Sequence, residues 1–303
     1  MSQFVKPMGG TELMHDELIR RIDPKLIKDV SIFNYLSKAD FKKKSIYWNQ
    51  LSYDQEAIGF LNDTGIAESI NHFVFVSYWQ AEAYKRFFNI PDSKINVIKN
   101  ACIGVEPKLK RDNNKVRVCY TSTPWRGLDI LLEAWGKINP KDAELHIFSG
   151  TKIYGNEFYK AQDEVHNHLY SKCNELSNVV YRDNIPNAEL RKELPSFDIL
   201  AYPSTFEETS CISVIEAISA GLRVVCSSLG ALPETTEGWA RMYPSVRERN
   251  EHINVFSNIL QQEIEAVREG VYEEQSKLQT EVYAPAWSWD ERIYDWEDFL
   301  SSI

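Results

Sequence analysis

The sequence predicts an α/β protein made of two layers, each a parallel sheet with helices on both faces. Three observations carry that reading. Short apolar segments alternate with longer amphipathic ones along the 303-residue chain, the order that yields parallel strands joined by helical crossovers. One polar stretch, Gly104 to Lys115 (GVEPKLKRDNNK), interrupts the alternation and reads as a linker. The length suits two domains, and 43% apolar residues supply a sizeable core.

Taken in order, the first layer has strands at Val30–Phe33, Ser45–Trp48, His72–Val76 and Ile95–Ile98, with helices near 11–22, 53–62 and 78–88. Ahead of the first helix, Met8-Gly9-Gly10-Thr11-Glu12 places two glycines before a helix start. Free backbone N–H groups and the positive helix end make that arrangement suited to a phosphate. Beyond the linker, strands near 116–120, 144–148, 178–181, 198–202 and 223–227 alternate with helices near 127–137, 157–176, 187–194, 211–220 and 250–269. The final stretch from Trp287 to Leu300 carries aromatics at helical spacing, and Trp289 and Trp296 read as packing residues.

Charge and cysteine usage exclude several classes. The net charge is −10 and uneven: residues 1–110 hold 15 Lys and Arg against 13 Asp and Glu, the remainder 19 against 31. Such a chain is a poor non-specific nucleic-acid binder. The Lys38–Lys44 run (KADFKKK), with Arg20, Arg21, Lys25 and Lys28, faces either an anionic acceptor or membrane surface or, as the preferred reading, only solvent. No apolar run reaches the roughly 18 residues of a membrane helix, and no basic-then-apolar leader opens the chain, so a cytoplasmic protein is expected. Cys102, Cys119, Cys173, Cys211 and Cys226 lack CxxC spacing and read as buried free thiols, and the histidines lack metal-ligand spacing.

The most informative segment runs from Pro203 to Glu234. An apolar strand ending at Tyr202 is stopped by Pro203; a loop, a helix, Gly221 and a second apolar strand follow. In such a βαβ unit ligands gather at the carboxyl ends of the strands. Glu208 falls in the strand-to-helix loop. Ile212, Ile215, Ile218 and Leu222 form the buried stripe of the helix, and Glu216 lies off it. Taken alone, the spacing favours the plainer reading, an acidic first turn complementing a helix dipole with Glu208 and Glu216 merely solvated.

Glu208, seven intervening residues, Glu216-Ala217 and a Gly-x-x-Val-Val turn and strand resemble the paired-glutamate signature of family 4 glycosyltransferases (glycosyl transferases group 1). The resemblance implies the two-domain GT-B fold, two Rossmann-like domains across a cleft with a C-terminal helix crossing back. The implied boundaries are a reduced acceptor-side domain at 1–108, a nucleotide-sugar domain at 109–284 and the returning helix at 285–303. It also implies that Glu208 contacts the donor sugar and that Glu216 holds the ribose hydroxyls.

Further segments resemble the family in the same order. Asn71 to Ile103 is similar to the region closing the first domain, with Asn100-Ala101 where the family has Asn-Gly. Tyr120 to Leu132 is similar to the phosphate loop, with Arg126-Gly127 matching and Ser122 and Thr123 standing where a Gly-Arg pair is expected. Asp183 to Glu189 resembles the loop against the nucleobase, and Gly230 to Glu234 the Gly-x-x-Pro-Glu turn. The implied donor set is Gly9, Gly10, Thr11, Ser122, Thr123, Arg126, Asn184, Glu208, Thr209, Ser210, Cys211, Ile212 and Glu216, with Glu208 and Arg126 in the chemistry. Asn49 and Asp54 are the acceptor-side candidates, the family's N-terminal histidine being absent.

The reaction so implied is retaining transfer of a sugar from a UDP- or GDP-type donor to a glycan, lipid-linked or other acceptor. No Asp-x-Asp occurs, so transfer without a metal ion or other cofactor is expected. Rival readings are a dehydrogenase, whose Gly-x-Gly-x-x-Gly is absent, a GT-B sugar-nucleotide epimerase, and a catalytically silent nucleotide-sugar or glycan-binding protein.

Overall fold

The computed structural model describes residues 9–108, 115–151 and 156–303, and the side chains of the helix beginning at 156 only from 164 onward. Met8 and linker residues 109–114 lie outside the described residues.

The first layer runs α1 (Gly10–Arg21), β1 (Val30–Phe33), β2 (Lys44–Asn49), α2 (Thr64–Ser69), β3 (His72–Phe75), α3 (Tyr78–Phe88) and β4 (Ile95–Val97). Its strands form a parallel sheet in the order β1-β2-β3-β4. Period-two alternation along β2 sends Ile46 and Trp48 into the core on one side and Tyr47 to the opposite side, among Phe33, Phe73 and Phe75. A sheet buried on both faces accounts for the nearly continuous apolar run there.

The second layer comprises β5 (Val116–Tyr120), α4 (Leu128–Ile138), β6 (Ala143–Ile147), α5 (Asn156–Glu175), β7 (Val179–Tyr181), α6 (Asn187–Glu193), β8 (Ile199–Tyr202), α7 (Ile212–Ser219), β9 (Arg223–Ser227), α8 (Leu232–Thr236), β10 (Arg241–Tyr243) and α9 (Arg249–Arg268). Its parallel sheet has the order β10-β9-β8-β5-β6-β7. The chain leaves β5 toward β6 on one side, while β8 sits on the other. The loops after β5 and β8 therefore diverge, and a crevice opens at the carboxyl ends of these strands.

After α10 (Glu273–Leu278), a π-helical turn at Gln279–Tyr283 and α11 (Ala284–Ala286), the chain returns to the first layer as α12 (Trp289–Ser302). Ser288 caps α12 through the Glu291 amide, and Trp296 meets Trp48 edge-on with ring centroids 4.8 Å apart. Trp289 and Trp296 are both buried with Met14, Leu18 and Ile46. Trp296→Ala removes a buried aromatic and costs about 3–5 kcal/mol.

One local expectation is corrected. Residues 53–62 hold no α-helix: a 3₁₀-helix spans Glu56–Asn62, and the α-helix starts only at Thr64, capped by Asp63. Ile58 and Leu61, three apart, are the residues buried there, a spacing that the three-residue turn places on one edge. The short strand β10 and helix α8 are too brief for periodicity to reveal. The five cysteines are all buried and unpaired, as their spacing leads one to expect. Among the described residues no helix is long and apolar enough to cross a membrane.

Candidate active site

The loop after β5 carries Arg126, and two features fix it. Tyr120, at the end of β5, donates its hydroxyl to the Thr123 carbonyl at 2.7 Å. Gly127 then sits at φ +102°, where a Cβ would come within 2.0 Å of the Pro203 carbonyl oxygen. Only glycine permits that left-handed turn and that contact, so the Arg126 loop is clamped against the end of β8.

The loop after β8 carries Glu208, 3% exposed. Arg126 Nη1 donates to both carboxylate oxygens, at 2.8 and 2.9 Å, and the Tyr202 hydroxyl donates to Oε1. The Arg126 guanidinium also lies over the Phe206 ring at 4.5 Å. Beneath this cluster the Gly230 turn supports the Glu208 backbone. A Cβ on Gly230, at φ +62°, would lie 2.6 Å from both Glu208 N and O, and the Ala231 amide donates to the Glu208 carbonyl at 2.7 Å. Four residues on, the Glu234 carboxylate accepts from the Tyr78 and Trp79 amides at the start of α3 in the other layer.

Glu216 lies deeper. It is 3% exposed and faces α6, where Asn187 Nδ2 donates at 3.3 Å and Arg191 Nη1 stands at 3.8 Å. Burial pushes its carboxyl up to about 7, with Arg191 and Asn187 pulling the other way. Off-stripe placement on α7 thus does not make it solvent-facing. The segment Gln279–Tyr283 and α11 pack over α7, so Val214 to Ser219 are all buried.

The helix ends around the crevice share a property. Among helices of eight or more residues with a described N-cap, α3, α9 and α12 are capped by the side chains of Ser77, Glu248 and Ser288. Those of α1, α4 and α7 begin at Gly9, Gly127 and Cys211 without a side-chain cap. The first and last of these adjoin: a Cβ on Gly10 would lie 3.0 Å from Ile212 Cδ1. Glycines 9 and 10, Thr11 and the Cys211-Ile212 start of α7 are therefore neighbours, and their helix dipoles bias the crevice toward an anion. The layers also meet here through Thr209 Oγ1, which donates to the Gln50 carbonyl at 2.9 Å, while Gln50 and Asn100 exchange amide hydrogen bonds at 3.0 Å.

Residues 115–254 match the family model described as Glycosyl transferases group 1. No curated protein matches by sequence. Similar solved structures include HepE from Anabaena in complex with UDP and glucose (15% identity, TM-score 0.69, covering 98% of this chain and 84% of that one). Sucrose-phosphate synthase from Thermosynechococcus elongatus is 15% identical, TM-score 0.67, over 90% of this chain and 73% of that one. A glycosyltransferase from Rickettsia africae is 12% identical, TM-score 0.67, over 100% and 84%.

The fold is GT-B, and its second layer carries the group 1 match.

Within this GT-B crevice the sequence-selected residues separate. Arg126 holds Glu208, the run Thr209 to Ile212 continues from it into α7, and Gly10 lies against Ile212. Ser122 is half-buried beside buried Thr123. The Thr123, Ser210 and Asn184 side chains each keep a buried oxygen with no hydrogen-bond partner. Desolvated oxygens of this kind suit a polar ligand that completes them. Asn49 is wholly buried, and its amide oxygen accepts from Tyr47 Oη at 3.2 Å and Leu51 N at 2.9 Å, inside the first layer. Asp54 is exposed.

Other residues escaped the sequence reading. Ser149 and Thr151, fully buried after β6, hold hydroxyls without partners, and Asn184 lies against the intervening Gly150. A Ser-Gly-Thr run at a strand end is the signal that marks them. Arg191 and Tyr202 act through tertiary contacts that no spacing announces, and Asn187 and Glu234, though inside segments singled out above, have partners that the sequence does not show.

Proposed function

We propose that the protein is a retaining glycosyltransferase that moves a sugar from a UDP- or GDP-type donor to a glycan, lipid-linked or other acceptor, without a metal ion. The observation that carries this reading is the pair of buried carboxylates, Glu208 and Glu216, at the switch point of the second sheet, the first gripped by Arg126. The structures of HepE in complex with UDP-glucose and with UDP support a nucleotide-sugar donor.

The leaving diphosphate gathers negative charge while the sugar becomes oxocarbenium-like. Arg126 and the uncapped start of α7 stabilise the diphosphate. Glu208 positions the sugar hydroxyls, and Glu216 accepts from the ribose hydroxyls. Arg126 also holds Glu208 through both carboxylate oxygens, which ties the diphosphate site to the sugar site. The acceptor enters on the same face as the departing diphosphate. In this reading residues 109–284 hold the donor, residues 1–108 choose the acceptor, and five buried free thiols support a cytoplasmic setting.

A thermal-shift panel tests the reading, because a ligand that binds only the folded state raises its stability. UDP or GDP and one of their sugars raise the melting temperature at millimolar concentration. No shift with any of them refutes it. A shift without release of nucleoside diphosphate would identify a silent binding protein.

A further inference from the structure

Tyr202 is the last residue of β8 and is fully buried. A buried aromatic at a strand end needs no oxygen: phenylalanine fills the space without the desolvation penalty of a hydroxyl. The hydroxyl here donates to Glu208 Oε1, and burial raises the phenol so that it keeps its proton. The ring is held by Tyr120 on the adjacent strand β5, with centroids 6.1 Å apart. Tyr120 in turn ties down the loop of Arg126 through the Thr123 carbonyl.

We infer that Tyr202 is a positioning residue for Glu208: its hydroxyl fixes one carboxylate oxygen so that the other faces the donor sugar. The inference rests on the glycosyltransferase reading above and goes beyond it. Arg126 contacts both oxygens of Glu208, and so does not select between them. Tyr202 contacts Oε1 alone. Tyr202 is the donor that fixes the carboxylate at one oxygen only, from the end of a central strand. Oε2 is then the oxygen left for a sugar hydroxyl. Without that anchor Glu208 loses its orientation, and misplacement of a reacting group is costly.

The test is Tyr202→Phe, which removes one oxygen and retains the ring. For release of nucleoside diphosphate from a UDP- or GDP-sugar in the presence of acceptor, kcat falls about 10- to 100-fold. The Kd for the free nucleotide changes less than about twofold, since Tyr202 touches no part of it. In a Glu208→Gln background the same change costs little more, because the partner is already impaired. Unchanged kcat, or a loss equal in both backgrounds, overturns the inference. A wild-type protein with no turnover refutes the enzyme reading instead. The positioning claim is then decided by urea denaturation of the same four proteins. Coupled stability losses for Tyr202→Phe and Glu208→Gln support it, and strictly additive losses overturn it.

Discussion

Replacing Glu216 with glutamine pushes stability and binding in opposite directions, and the structure sets both magnitudes. Burial raises the Glu216 carboxyl from 4.5 to about 7, against the lowering effects of Arg191 and Asn187. The pKa is thus higher in the folded chain than in the unfolded one. Between those values the folded state binds the extra proton, so stability declines as pH rises through the window. That rise corresponds to roughly 3 kcal/mol forfeited at pH 8. Glutamine has nearly the same shape and no charge to desolvate. Glu216→Gln should gain up to about 3 kcal/mol in urea denaturation at pH 8 and almost nothing at pH 4, where Glu216 is itself protonated. Calorimetric titration with UDP should move the other way. Losing charged acceptance of the ribose hydroxyls weakens Kd about 10- to 100-fold at pH 8. The wild-type advantage should shrink as pH falls below 7. A variant destabilised equally at both pH values, or one binding UDP like the wild type, would refute the reasoning.

Arg126→Ala leaves Glu208, whose side chain is 4% exposed, without its cation. It should lose about 3 kcal/mol in denaturation, and bind UDP more weakly while binding uridine unchanged. Turnover should survive EDTA; loss on chelation, restored by manganese or magnesium, would contradict metal-free transfer. Lys42, Lys43 and Lys44 are exposed. Their joint replacement with serine should leave donor hydrolysis unchanged and lower transfer to an anionic or membrane-borne acceptor, and equal effects in both assays would reduce the cluster to a solvated surface.

The sheets were readable because their strands are apolar runs punctuated by Pro, Gly and Asn, and the two glutamates because a βαβ unit tells where its loop must lie. Burial of Glu216 was not readable. The apolar stripe of α7 accounts for one packed face, whereas Glu216 meets Asn187 and Arg191 of α6, and residues 279–286, from much farther along the chain, also pack on α7. Glu234 lies in a turn that the sequence marks plainly, yet its partners are the amides of Tyr78 and Trp79, 156 and 155 positions away. The 3₁₀ geometry of Glu56–Asn62 was hidden for a different reason. Ile58 and Leu61 satisfy helical and 3₁₀ spacing alike, and the packing around them chooses between the two. Tyr202 was visible only as the end of a strand; its hydroxyl acquires meaning once the loop folds Glu208 back over it.

The most direct test of the two-carboxylate account measures nucleoside diphosphate affinity and donor turnover together in wild type, Glu208→Gln and Glu216→Ala. The account predicts a crossed pattern: Glu208→Gln binds the nucleotide normally and loses turnover, while Glu216→Ala loses nucleotide affinity first. The reverse pattern would exchange the roles of the two glutamates, and turnover unaffected in both variants would contradict the account.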